Sequence, residues 1–143
     1  MAELFNCLAD AAEEQKAKLV YRSVHFPGFD MVKNHPSYEH VGVKMANGDI
    51  YGYFNDSKVR IDSKYANEYK IMTDKQVMDR YGKYGIKENS FNNATMSKAL
   101  KVEAKIWSAP NSYYFIAARP AWEDHNCQNF LGAVVQWYAK TVG

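Results

Sequence analysis

The segment from Tyr38 to Phe54 constrains the fold more than any other part of this sequence. It reads Y-E-H-V-G-V-K-M-A-N-G-D-I-Y-G-Y-F, and its residues alternate in character on both sides of an Asn-Gly pair. Asn47 and Gly48 both tolerate a positive φ angle, which a type I′ turn requires at its two central positions. The segment therefore predicts a β-hairpin over residues 38–54 with a type I′ turn, and it places His40 in the first strand.

The length and composition of the chain indicate one ordinary globular domain over residues 1–143. The chain is 47% hydrophobic and 24% charged, and it is long enough to bury a sufficient core. Its net charge of +2 gives no independent reason to propose nucleic acid as a partner. No run reaches the ~18 apolar residues of a membrane span. The first residues lack the basic start and apolar core of a signal peptide, so we expect a soluble intracellular protein.

Hydrophobic spacing and capping residues predict the remaining elements. Further strands are expected at Leu19–Phe26, Lys58–Asp62, Tyr65–Met72 and Ser112–Ala118. Helices are expected over residues 1–20, from Thr73-Asp74 to near Gly82 or Gly85, from a cap at Thr95 or Asn93 to Trp107, and over residues 124–141. The polar residues 87–95 are expected to form a loop. This order predicts an α+β fold in which an antiparallel sheet packs against helices.

The last predicted helix raises the question of what Cys127 does. Six of its residues share one face: Cys127, Phe130, Leu131, Val134, Val135 and Tyr138. On that face the thiol is a small hydrophobic side chain in a buried core. In the first turn, however, backbone N–H groups and the helix dipole stabilise a thiolate nucleophile, and Asp124 or Asn126 would cap the helix. The spacing alone favours the buried core and leaves both interpretations open.

A cysteine nucleophile needs a base, and the chain has four histidines. His25 and His35 lie in loop-like sequence close to prolines, and His125 is two residues from Cys127 on the predicted cap. His40 lies on a predicted strand, which makes it the candidate base. The alternative, a structural histidine with no chemical role, stays open at this point. The other cysteine, Cys7, is interpreted as a packing residue and a free thiol.

Together, the hairpin with His40 and the later Asn126-Cys127 pair resemble the H-box and NC motifs of the lecithin:retinol acyltransferase-like family. The resemblance extends from Tyr38 to Tyr138 and implies a circularly permuted papain-like (NlpC-like) core, here with an extra N-terminal helix. By position, His40 would be the general base and Cys127 the nucleophile. In the cellular enzymes of this family, that thiolate takes an acyl group from a phospholipid. The branch found in the 2A proteins of parechovirus-type and kobuvirus-type picornaviruses is the better match.

The sequence departs from this family where the enzymes carry the third catalytic group. Their second histidine, which orients the first, corresponds here to Gly52 or Tyr53. The Glu-His pair after the cysteine becomes Gln128-Asn129, and the aromatic residue after the first histidine becomes Val41. Because the loss of an orienting group costs a triad-type site several orders of magnitude in rate, weak or absent acyl transfer is expected.

The resemblance therefore implies a viral protein that supports genome replication in the host cell cytoplasm, with the nucleus as a second compartment. Its partners would be host proteins, membrane-associated replication factors or RNA. The alternative is an active cysteine-dependent phospholipase/acyltransferase or amide hydrolase, in which Tyr53 or a bound water replaces the missing histidine. Neither interpretation requires a cofactor or a metal ion.

The region after the hairpin offers a candidate RNA surface. Lysines and arginine alternate there with tyrosines, so that cations and stacking rings could share one surface: Lys58, Arg60, Lys64, Tyr65, Tyr69 and Lys70. The alternative is a solvated sheet edge that lysines protect from pairing with another chain.

Overall fold

The computed structural model describes residues 15–23, 39–54, 56–108 and 127–142, which form an open antiparallel sheet and three helices. The strands are β1 (Lys16–Ser23), β2 (Glu39–Lys44), β3 (Ile50–Tyr53), β4 (Val59–Ile61), β5 (Lys70–Ile71) and β6 (Phe91–Asn92). They are hydrogen-bonded in the order β4-β3-β2-β1-β5, and β6 also pairs with β1. The predicted α+β class, with an antiparallel sheet packed against helices, is confirmed.

The predicted hairpin is present, but its turn differs from the prediction. β2 and β3 pair in antiparallel register, with Val43 opposite Tyr51. Of the two turn residues only Gly48 has a positive φ angle, at 95°, so the turn is not type I′. The side-chain oxygen of Asn47 instead accepts a hydrogen bond from the N–H of Asp49 at 3.0 Å. Asn47 therefore contributes through an Asx turn rather than through a left-handed backbone.

The N-terminal helix predicted over residues 1–20 is wrong for residues 16–20, which belong to β1, whereas the strand predicted to begin at Leu19 is confirmed as far as Ser23. In this stretch Lys16 and Lys18 alternate with Ala17 and Leu19, both of which are fully buried. That period of two suits a strand with one face on the core, and it prevails over the helical spacing further upstream. Residues 1–14 lie outside the described part of the chain, as do the strand predicted at 112–118 and the residues after Ser23 in the strand predicted at 19–26.

The three helices are α1 (Asp74–Tyr81), α2 (Asn93–Trp107) and α3 (Cys127–Val142). The predicted start of α1 is confirmed, because Thr73 caps it and forms a capping box with Gln76. The cap of α2 is Asn92 rather than Thr95 or Asn93, and its side chain accepts from the N–H of Thr95 at 3.0 Å. The predicted loop over 87–95 thus contains β6 and this cap. In α3 the six residues of the predicted apolar face are all buried.

The sheet has two faces with different roles. We call the face that carries Val41 and Val43 the core face, since both side chains are 1% exposed and belong to the hydrophobic core. Helix α3 packs against β2 and β3, and there the ring of Tyr53 stacks on Phe130 at 5.3 Å between centroids. Because side chains alternate along a strand, His40 projects from the opposite side, which we call the outer face.

Residues 62–69, which we call the crossover, carry the chain from β4 at one edge of the sheet to β5 at the other. Tyr65 and Tyr69 in this segment contact Arg22 on β1, at 4.7 and 5.4 Å from ring centroid to guanidinium carbon. The strand predicted at Tyr65–Met72 is therefore right only for Lys70–Ile71, and Ala66–Glu68 form a 3-10 turn. The crossover covers part of the outer face. Among the described residues, no helix is long and apolar enough to cross a membrane.

Candidate functional site

His40 lies on the outer face of β2, opposite Arg22 of β1 in the sheet register. Its imidazole packs against the ring of Phe54 at 4.8 Å between centroids and reaches Tyr69 of the crossover at 6.3 Å. The residue is only 6% exposed. His40 is therefore enclosed between the sheet and the crossover, rather than presented at an open surface.

The imidazole has an incomplete set of polar contacts. Its Nε2 atom is buried and has no hydrogen-bond partner among the described residues. Burial lowers the pKa of His40 from 6.5 to about 3, and the guanidinium of Arg22 adds to this effect while Asp62 opposes it. His40 is consequently neutral at physiological pH.

Gly52 occupies the position where the resemblance places an orienting histidine. A Cβ atom at this residue would lie 2.8 Å from Nε2 of His40, closer than such contacts normally come. Position 52 therefore adjoins the imidazole, but His40 fills the space that any side chain there would need. The alternative orienting residue, Tyr53, lies on the core face and donates its hydroxyl hydrogen bond to the backbone oxygen of Trp107 at 2.8 Å.

Cys127 is the first residue of α3 and is 6% exposed. Its thiol donates a long hydrogen bond to the backbone oxygen of Glu39, with 3.8 Å between sulfur and oxygen. The side-chain amide of Gln128 donates to the same oxygen at 3.1 Å, so both residues fasten the start of α3 to β2. Burial raises the pKa of the Cys127 thiol to about 11, although the backbone N–H of Val41 lowers it in part.

The structure brings the two candidate catalytic residues to the same strand but does not join them. Cys127 contacts the residue that precedes His40, as expected if α3 and β2 pack side by side. The partner of the thiol is a backbone carbonyl, and the neighbours of the imidazole are Gly52, Phe54 and Tyr69. No hydrogen bond links the two side chains in the described part of the chain. Their assignment as base and nucleophile remains a prediction.

A buried network beside His40 was missed from the sequence. The carboxylate of Asp62 accepts hydrogen bonds from Nε of Arg22 at 3.0 Å and from the hydroxyl of Tyr69 at 2.5 Å. The side chains of Arg22 and Asp62 are 6% and 4% exposed. The only sequence signal for this network was the carboxylate of Asp62 directly after a predicted strand. Its partner Arg22 lies 40 residues earlier in the chain, so the pair could not be identified from the sequence.

Two of the cations proposed as an RNA surface already contact aromatic rings of the protein. The guanidinium of Arg60 lies 4.1 Å from the ring centroid of Phe54 and is also paired with Asp56 at 3.4 Å. The ammonium of Lys64 lies 5.2 Å from the ring of Tyr65. The contact of Lys64 covers part of the Tyr65 ring that an RNA base would otherwise stack on, and the ion pair with Asp56 neutralises Arg60.

Two further features bear on what the protein binds. Among the described residues, no group of three His, Cys, Asp or Glu side chains is arranged to hold a metal ion. A cleft of about 630 Å³ lies between the hairpin turn and α2, away from His40 and Cys127. It is lined by Gln15, Met45, Ala46, Asn47, Tyr51, Asn93, Ser97, Leu100 and Lys101.

Replacing Gly52 with alanine is expected to destabilise the protein by about 1–3 kcal/mol. The added methyl group would lie 2.8 Å from Nε2 of His40, so the imidazole would have to leave its packed position. Chemical denaturation of the variant and the wild-type protein measures this loss.

Removal of His40 provides the control for that contact. In a His40→Ala background, Gly52→Ala should cost much less, because the methyl group enters the vacated space. Gly42→Ala is the matched comparison, since its Cβ would meet the backbone oxygen of Tyr51 at 2.6 Å whether or not the imidazole is present. Equal losses of stability for Gly52→Ala in both backgrounds would show that the contact with the His40 imidazole is not what destabilises the variant.

Comparisons of the chain with protein-family models, with characterised proteins and with solved structures gave no match.

Proposed function

We propose that this chain is an H-box/NC protein of the picornavirus 2A kind, which supports viral replication in the host cytoplasm by binding host proteins or RNA. In this proposal its core is a circularly permuted papain-like (NlpC-like) fold inherited from a thiol acyltransferase or hydrolase. Two features support the proposal. A hairpin carries His40, and a later helix begins with Cys127 and packs against the same strand.

One observation favours a binding role over catalysis: thiol and imidazole are both buried, neutral and not bonded to each other. With a pKa of about 11, only about one thiol in ten thousand would be ionised at pH 7. A neutral imidazole can accept a proton only if it reaches the thiol, but the thiol donates to the backbone oxygen of Glu39 instead. Gly52 supplies no group to orient His40.

We expect Cys127 to react with thiol reagents at pH 7 at least about 100-fold more slowly in the folded protein than in the unfolded chain. The reasons are its burial and its raised pKa. The measurement is the rate of alkylation by iodoacetamide, followed by mass spectrometry, in a Cys7→Ser background that leaves one thiol.

An acyl-donating probe then separates the binding protein from the enzyme. A binding protein gives no acyl adduct on Cys127 at neutral pH, and His40→Ala leaves the slow alkylation rate unchanged. Rapid acylation of Cys127 that disappears in His40→Ala would reject the proposal and identify an active thiol acyltransferase or hydrolase. The unfolded chain in guanidinium shows that the thiol itself is intact and reactive.

A further inference from the structure

Helix α2 presents a distinct surface on the side away from the core. Its inward residues Met96, Ala99, Leu100 and Trp107 are buried. Its outward surface, which we call the lysine face, consists of Lys98, Lys101, Val102, Lys105 and Ile106, all of them exposed. Val102 is 37% exposed and Ile106 is 64% exposed, so two β-branched apolar side chains stand in solvent beside three lysines.

The three lysines of this face have no acidic partner in the described part of the chain. Some other cations of the described residues do have one: Lys75 pairs with Asp79 at 3.0 Å, and Arg80 pairs with Glu39 at 3.1 Å. The one acidic residue of α2, Glu103, accepts a hydrogen bond from the indole nitrogen of Trp107 at 3.2 Å. The lysine face therefore concentrates positive charge that the described structure does not neutralise.

Charge and apolar exposure together indicate the chemistry of a partner. A partner must be anionic to match three unpaired lysines, and it must offer an apolar region to cover Ile106 and Val102. Residues 98–106 span about 12 Å along a convex helix surface, which suits a broad, deformable surface better than a single extended peptide. Anionic lipid headgroups above acyl chains have both properties, and lysine side chains can reach the headgroups while their stems remain in apolar surroundings.

We propose that the lysine face of α2 binds the surface of an anionic membrane. In this arrangement the lysines contact lipid phosphates or carboxylates, and Ile106 enters the boundary between headgroups and acyl chains. The cleft between α2 and the hairpin turn, which Lys101 also lines, leaves room for a headgroup beside the helix. This inference is independent of His40 and Cys127, so a failure of the proposed thiol site would not affect it.

The test is co-sedimentation of the full chain with vesicles of phosphatidylcholine alone and of phosphatidylcholine mixed with phosphatidylserine. Binding is expected only to the anionic vesicles, and it should weaken as salt rises. The triple variant K98Q/K101Q/K105Q should lower the partition coefficient about 100-fold, since each lysine near an anionic surface contributes about fivefold. Ile106→Ser should lower it by a smaller factor, about tenfold, and should keep the salt dependence.

A second triple variant separates this surface from overall charge. K75Q/K83Q/K87Q removes the same charge from exposed lysines outside α2, and it should bind anionic vesicles nearly as well as the wild-type protein. Equal losses in the two triple variants would reject the lysine face as the binding surface. No binding to anionic vesicles would reject the proposal as well, even if the face bound an acidic peptide or RNA instead. Thermal unfolding of every variant confirms that each one is folded.

Discussion

Replacing Asp62 with alanine is expected to lower the free energy of unfolding by about 3–5 kcal/mol, because it leaves the guanidinium of Arg22 buried without its counter-ion. Arg22 is 7% exposed; its Nε donates to a carboxylate oxygen of Asp62 at 3.0 Å, and its Nη2 forms an ion pair with the same oxygen at 3.0 Å. The hydroxyl of Tyr69 would also lose its acceptor. Since Tyr69 belongs to the crossover, the damage should extend to the segment that covers His40. Urea denaturation monitored by tyrosine and tryptophan fluorescence measures the loss.

Two comparisons show whether the loss comes from the unpaired charge. The double variant R22M/D62L removes both charges and should be less destabilised than Asp62→Ala alone. Asp79→Ala breaks the exposed pair with Lys75, whose side chains are 59% and 80% exposed, and should cost less than about 1 kcal/mol. Losses of similar size for Asp62→Ala and Asp79→Ala would mean that the buried network contributes little to stability.

The same network predicts how stability depends on pH. Burial raises the pKa of Asp62, but the hydrogen bond from Tyr69 and the charge of Arg22 outweigh it, so the net pKa is lowered. The stability from this group is therefore complete above the unfolded pKa of about 3.9 and is lost as pH falls through the lower folded value. His40 affects stability at higher pH than Asp62 does. Its pKa falls from 6.5 to about 3 on folding, so stability is lost as the pH falls from 6.5 towards 3. Asp62 variants should therefore be compared above pH 7.

The elements that were predicted correctly are those whose signals are local. The hairpin follows from alternation around Asn47-Gly48, and α3 follows from apolar residues three and four apart. β1 is different, because its partners β2 and β5 begin at Glu39 and Lys70, far along the chain. A short strand whose pairing is entirely non-local leaves only a brief alternation in the sequence, and the apolar spacing of the upstream residues obscured its first part, which was predicted as helix.

In the candidate site, too, the residues could be predicted from the sequence but their non-local contacts could not. Residue types and their order identified His40 and Cys127, and packing of α3 against β2 brings them to one strand. The direction of the His40 side chain follows from the burial of its neighbours. Val41 and Val43 lie on the core face, and because side chains alternate along a strand, His40 lies on the outer face. Contacts between residues 40 positions apart, such as Arg22 with Asp62, could not be identified without the sheet register.

Asn89 is the second residue whose loss should have a large effect, because its side chain completes the hydrogen bonding at one edge of β1. β5 pairs with Val20 and Tyr21, and β6 pairs with Lys16 and Ala17. At Leu19, between these two short strands, the side-chain oxygen of Asn89 accepts from the backbone N–H at 2.7 Å, and its amide donates to the backbone oxygen at 2.9 Å. The side chain thus replaces a peptide group of a neighbouring strand.

The amide of Asn89 also donates to the backbone oxygen of Met72 at 2.9 Å, so one side chain connects β1 with the end of β5. Asn89→Ala would remove the partner of the Leu19 N–H and of the Met72 oxygen at a position that is 3% exposed, whereas the Leu19 oxygen keeps its hydrogen bond from the Met72 N–H at 3.0 Å. Because each unsatisfied buried group costs about 1–3 kcal/mol, the expected loss is about 4 kcal/mol after partial relaxation. Equilibrium denaturation measures it, and hydrogen exchange should show loss of protection at the Leu19 amide first.

Asn89→Asp is the matched variant, since it keeps the shape and the acceptor for Leu19 but removes both N–H donors. Its carboxylate would face the backbone oxygens of Leu19 and Met72, so ionisation is unfavourable and burial should raise its pKa above the unfolded value. A group with a raised folded pKa is stabilising below its unfolded pKa and loses that contribution as pH rises. Asn89→Asp should therefore become less stable relative to wild type between about pH 4 and neutrality. A constant difference across this range would show that water reaches position 89 and that the side chain does not serve as a buried strand substitute.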